Sequence, residues 1–215
     1  PESSPLPSSE ESATREPVRV EARSGAFLQQ TEGFVFEGQV QAVQGTSLLF
    51  ADRLAGDETS GTTTATGKVR TIWSDRPETK ATRGARRGSA APAAGQTVAT
   101  AESLEYKRDA GVLRYAGDVL VRQNPREIRA SEVTVELTDD RRAERMHARG
   151  AVVVVDGQSG RSVSGDEADY DLTTQSAIVT GAPVTIKDEE GNLLRGKRAL
   201  FDLESGDAKL LSGES

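Results

Sequence analysis

The chain has 215 residues, of which 35% are hydrophobic, 28% charged and 4% aromatic, with a formal net charge of −7. It has no cysteine and a single histidine, His147, which excludes disulfide scaffolds, thiolate zinc sites, cysteine nucleophiles and three-histidine or HExxH metal centres. The acidic balance argues against nucleic acid as a partner, because affinity there comes largely from Lys and Arg on phosphate, and no apolar stretch reaches the roughly 18 residues of a membrane-spanning helix.

Residues 1–17, PESSPLPSSEESATREP, are rich in Pro, Ser and Glu, with Leu6 as the one large apolar residue. Such a segment buries too little surface to offset its ordering entropy. It reads as a disordered lead, a linker from an anchor or an earlier domain. No signal peptide is visible, as expected for a mature or truncated form. From residue 18 to 213 the pattern is that of strands. Alternation of period two recurs, as in Val18-x-Val20-x-Ala22, Val133-x-Val135-x-Leu137 and Ala168-x-Tyr170-x-Leu172, which gives one buried and one solvated face. Within this stretch, residues 74–96 are rich in Ala, Gly and Pro and have no period. They carry Arg76, Lys80, Arg83, Arg86 and Arg87 against Asp75 and Glu78, and they read as a flexible basic loop. Turn signals follow at short spacing: Asn124-Pro125, Asp139-Asp140, Asp156-Gly157, Glu190-Gly191 and Ser205-Gly206. The charged segment Arg141–Arg149 fits a strand with basic outward positions better than a helix.

An internal repeat organises these strands. One half is a glycine followed by alternating apolar residues, at Gly38, Gly67, Gly117, Gly150 and Gly181. The other is a small residue, polar residues and an apolar pair at spacing two: Ala101-Glu-Ser-Leu-Glu-Tyr, Ala130-Ser-Glu-Val-Thr-Val, Gly165-Asp-Glu-Ala-Asp-Tyr and Gly196-Lys-Arg-Ala-Leu-Phe, with a weaker copy at Ala51-Asp-Arg-Leu. Two residues before the glycines stand Phe36, Ala65, Tyr115, Ala148 and Val179, with Leu211 before a terminal Gly213. A glycine inside a strand marks a bend or bulge. One such unit cannot bury its apolar face alone, so the units must stack.

The stretch Gly165–Lys187, GDEADYDLTTQSAIVTGAPVTIK, with LLRGKRALFDLESGDAKLLSG after it, resembles the OstA/LptA family of lipopolysaccharide-transport proteins. The resemblance is good over 97–213 and loose over 33–73, with the 74–96 loop departing from the compact pattern. It implies an all-β fold, an elongated antiparallel β-jellyroll of stacked repeats, V-shaped and open along one side. It also implies a periplasmic protein that passes lipopolysaccharide from inner to outer membrane in an apolar groove.

On that reading the apolar parity of each strand lines the groove and takes the acyl chains of lipid A. The positions are Val119, Val121, Val133, Val135, Val152, Val154, Tyr170, Val179, Ile186 and Phe201. The same residue types would serve a dry core, so a structural or adhesive β-solenoid without lipid is the alternative. Exposed strand edges at the two ends of a stack offer pairing to other jellyroll proteins of an export bridge, or to a second copy head to tail. No catalytic residue, metal ligand or cofactor is expected. Gly61–Val69 has five residues between its glycines and Val69 where a P-loop needs Ser or Thr. The acidic run Asp166, Glu167, Asp169 and Asp171 suits a solvated outer face better than calcium. A carboxylate pair of the glycosidase kind stays open on residue count alone, but the outward faces lack aromatic sugar platforms.

Overall fold

In the computed structural model the described residues are 17–29, 32–74 and 95–211. The expected lead at 1–17 and the loop at 74–96 therefore lie outside them, apart from Pro17, Ser74, Gly95 and Gln96. Among the described residues thirteen strands form one antiparallel sheet. They are β1 (Arg19–Glu21), β2 (Ser24–Leu28), β3 (Gly33–Gln44), β4 (Ser47–Asp57), β5 (Thr62–Ser74), β6 (Gln96–Lys107), β7 (Val112–Gln123), β8 (Arg126–Leu137), β9 (Ala143–Asp156), β10 (Ser162–Asp171), β11 (Ser176–Lys187), β12 (Leu193–Asp202) and β13 (Ala208–Leu210). From β3 to β13 every strand pairs with the next in chain order, while β1 and β2 both pair with β3. The pairing of β5 with β6 runs unbroken in direction from Thr62↔Lys107 to Ser74↔Gln96, so the units on either side of 74–96 share one continuous sheet. The Arg141–Arg149 segment enters β9, with Met146 and Ala148 buried and the arginines outward.

Every long strand is broken near its middle by a register shift, and the sequence repeat explains where. Gly38-Gln39, Gly67-Lys68, Gly117-Asp118 and Gly150-Ala151 all have positive φ at both residues. Each pair is the extra residue of a β-bulge, which bends the strand and raises its twist. The opposing strand supplies one residue at the bend, and this is the polar position of the other half-repeat. A Cβ on Gly67 would lie 2.7 Å from the Asp52 carboxylate, one on Gly117 2.5 Å from Glu102, and one on Gly150 2.6 Å from Ser131. The two half-repeats are thus the two sides of one corner. At the fifth corner Gly181 lacks positive φ, and Asp166 accepts a hydrogen bond from the Ala182 amide at 3.1 Å instead.

The corners divide the sheet into two limbs that face each other. Tyr115, before the β7 corner, hydrogen-bonds Thr71, beyond the β5 corner, at 3.0 Å and packs edge-on against Trp73 with ring centroids 6.1 Å apart. At about 3.3 Å per residue, 12-residue strands give each limb a depth of about 20 Å. The outer ends of the limbs turn on aspartates. Asp57, Asp156, Asp171 and Asp202 each accept two backbone N–H bonds from residues two and three positions on, an Asx turn that needs no glycine at its centre. Near the C-terminal end two of these turns meet across the open side. Arg161 donates from Nη1 to the Gly206 carbonyl at 2.7 Å and to Asp207 at 3.1 Å.

Candidate functional site

The inner faces of the two limbs form the candidate site. Cross-strand partners on the first limb connect into a row running the length of the stack: Phe36, Leu54, Ala65, Leu104, Tyr115, Val133, Ala148, Ala168, Val179, Ala199 and Leu210. Both half-repeats feed this row. The residue two before each glycine alternates with the residue three after each small one. The C-terminal member corrects the sequence expectation. It is Leu210 that pairs with Ala199, while Leu211 only donates its amide to the Arg198 carbonyl. A second row beside it contains Phe34, Tyr106, Leu113, Val135, Met146, Tyr170, Ala177 and Phe201. On the facing limb the matching row is Ala42, Leu49, Thr71, Ala99, Val121, Ile128, Val154, Val163, Ile186 and Leu194.

All ten residues singled out from the sequence lie on these inner faces. Val133, Val135, Tyr170, Val179 and Phe201 belong to the first limb, and Val119, Val121, Val152, Val154 and Ile186 to the second. Nine are buried and Val121 is half-buried. Val152, Val154, Val179 and Phe201 have no exposed surface at all, so along this part of the stack the two limbs are in contact. Sequence reasoning missed the N-terminal part of the interior, Val40, Leu54 and Val69, each 3% exposed or less. The same glycine-anchored spacing at Gly38 and Gly67 marks them. It also missed Tyr115, whose burial depends on the opposite limb.

The interior opens toward the N-terminal end of the stack. There a cleft of about 350 Å³ is lined by Phe27, Leu28, Gln29, Glu32, Gly33, Phe34 and Glu58. Phe27 is 80% exposed and meets Phe36 edge-on, while the Phe34 ring lies where a side chain on Gly56 would stand. At the other end β13 covers only Ala199–Phe201. Among the described residues this leaves the Leu193–Gly196 half of β12 without an outer neighbour, and Leu193 and Leu194 are 51% and 56% exposed.

The outer faces carry charge in cross-strand ladders. Glu132 accepts from Arg114 and Arg149, which hold its carboxyl below the usual range. For Glu127, burial pushes upward, but hydrogen bonds from Arg122 and Arg129 outweigh it and the pKa is lowered. His147 Nδ1 lies 2.6 Å from Asp169. The acidic run at 166–171 is dispersed: Asp166 braces a corner, Asp169 meets His147 and Asp171 caps a turn. Gly61 and Gly67 sit at opposite ends of one limb of β5, in a turn and at a corner, and form no phosphate-binding loop. Among the described residues no helix is long and apolar enough to cross a membrane.

A comparison with curated proteins found no match. Among solved structures the chain is similar to LptH, the LptA homologous periplasmic component of the lipopolysaccharide transport device of Pseudomonas aeruginosa. The two share 16% identity and a TM-score of 0.47, over 63% of this chain and 84% of that one. The assignment rests instead on the family profile for the LptA/(LptD N-terminal domain) LPS transport proteins, which matches residues 99–207, the span from β6 to the turn after β12. With that match over half its length, the chain belongs to the LptA/LptD N-terminal domain family of lipopolysaccharide transport proteins.

Proposed function

We propose that this chain is a non-enzymatic periplasmic carrier that holds the acyl chains of lipid A between its two limbs and passes lipopolysaccharide from inner to outer membrane. The observation that carries this reading is the continuity of the inner rows. On the first limb apolar side chains follow one another across every strand pair from β3 to β13, from Phe36 and Leu54 to Ala199 and Leu210, a track of the length and chemistry that acyl chains need. Exposing one methylene to water costs about 0.8 kcal/mol, so an acyl chain of about twelve carbons is disfavoured in water by roughly 10 kcal/mol. An apolar track removes that cost at each position, and the sugar and phosphate part stays in water at the open side. Acyl chains enter by replacing limb-to-limb contacts with limb-to-lipid contacts of the same chemical kind. The N-terminal cleft, with Phe27 exposed, is the natural start of the track.

The half of β12 left unpaired among the described residues and the short strands β1 and β2 are the surfaces for partners. Each presents backbone donors and acceptors to a strand of another jellyroll protein or of a second copy, head to tail. One observation favours the alternative of a structural or adhesive solenoid: the complete burial of Val152, Val154, Val179 and Phe201. Photo-crosslinking with lipopolysaccharide separates the two. Photoreactive residues at Val135, Val154 and Tyr170 crosslink in a carrier, and those at the outward Thr134 and Val153 do not. A folded protein that crosslinks at none of the five positions is a solenoid without lipid.

A further inference from the structure

Two tyrosines are buried inside the molecule, and they are not equivalent. Tyr115 is 1% exposed and its hydroxyl is paired with Thr71 at 3.0 Å. Tyr170 is 2% exposed, on the inner face between Met146 and Ala177, and its hydroxyl has no hydrogen-bond partner among the described residues. Buried hydroxyls are almost always paired, because a donor taken from water without compensation is costly. The sequence repeat provides an internal comparison. The residue five after the small residue of each half-repeat is Tyr106, Val135, Tyr170 or Phe201. Val135 and Phe201 fill the place with no polar atom, and Tyr106 is half-buried. A phenylalanine at 170 would fill the same space, so packing alone does not account for this hydroxyl.

We propose that Tyr170 Oη reads the head of an acyl chain, donating a hydrogen bond to the ester or amide carbonyl of a lipid lying along the inner face. This rests on the reading of the interior as a lipid track, and adds to it a point that distinguishes acyl from plain alkyl chains. The position suits the role. Tyr170 is four residues from the corner at Asp166 and one from the end of β10, about 13 Å along the limb at 3.3 Å per residue. It therefore stands in the outer half of the limb, away from the corner, with the apolar corner beyond it for the methylenes. Burial also pushes the phenol's pKa upward, which keeps it a neutral donor through the physiological range.

The test uses two probes with the same phosphocholine headgroup, below their micelle concentrations. One is lauroyl lysophosphatidylcholine, which has an ester carbonyl, and the other is dodecylphosphocholine, which has none. Binding of each to the wild-type chain and to Tyr170→Phe is measured by calorimetry. Thermal melting of the variant, expected at or above the wild-type midpoint, shows that it is folded. Tyr170→Phe is expected to bind the ester lipid about tenfold more weakly, equal to about 1.4 kcal/mol, and the alkyl lipid unchanged. Equal affinities of the two proteins for the ester lipid, or an equal loss for both probes, would overturn the assignment while leaving the track intact. Binding of neither probe by the folded wild type would remove the track reading and Tyr170's role with it.

Discussion

Gly117→Ala tests whether the corners are packed or merely permissive. Gly117 has φ of +83°, where an L-residue pays about 1–2 kcal/mol for crowding its Cβ against the backbone. The new Cβ would also stand 2.5 Å from Glu102 Oε2, 2.6 Å from its Cγ and 2.7 Å from its Cβ. The carboxylate can swing away, but the Cβ is fixed to the strand, so β6 and β7 must separate. Overpacking of this kind adds about 1–3 kcal/mol, for a total near 3 kcal/mol. Gly191 is the control: its φ is +88°, and a Cβ there meets nothing within 4 Å. Gly191→Ala therefore carries the conformational cost alone. Urea unfolding followed by the fluorescence of Trp73, the one tryptophan, gives both values. At about 2–4 °C per kcal/mol for a chain of this size, Gly117→Ala melts roughly 6–12 °C below wild type and Gly191→Ala roughly 2–8 °C below. If the two variants lose the same stability, the opposition of the half-repeats at the corner contributes nothing, and the account of the bend is wrong.

Tyr115→Phe removes one hydrogen bond between the limbs and leaves the 5%-exposed Thr71 hydroxyl without it, for a loss of about 1–2 kcal/mol; adding Thr71→Val recovers part of it, and a double-mutant cycle by urea unfolding measures the coupling. Glu132, Glu127 and Asp156 all have folded-state pKa values below the ordinary carboxylate range. The unfolded chain binds their protons more readily, so their contribution is full above about pH 5 and drains away as the pH falls through about 4 and below. Unfolding midpoints measured from pH 7 to pH 3 follow that slope, and Glu132→Gln, which cannot ionise, flattens it while lowering stability at pH 7. A Glu132→Gln profile as steep as wild type would show that the Arg114 and Arg149 contacts do not stabilise the fold.

What the sequence alone determined is what depends on near neighbours. Alternation of period two sorts side chains between faces because successive residues on a strand point to opposite sides, so all ten expected groove residues lie inward. The glycine-anchored repeat marked the corners, because glycine takes up the positive φ of the bulge at four of the five, and repetition itself announced stacking. Other decisions belong to the tertiary structure. That the two half-repeats oppose each other follows from register, which is set by the pairing of whole strands. That Tyr115 is satisfied by Thr71, while Tyr170 has no partner among the described residues, depends on which residues of the two limbs come to face each other. Each of these is a contact between residues distant along the chain, and a local pattern holds no information about which distant partner comes within 3 Å.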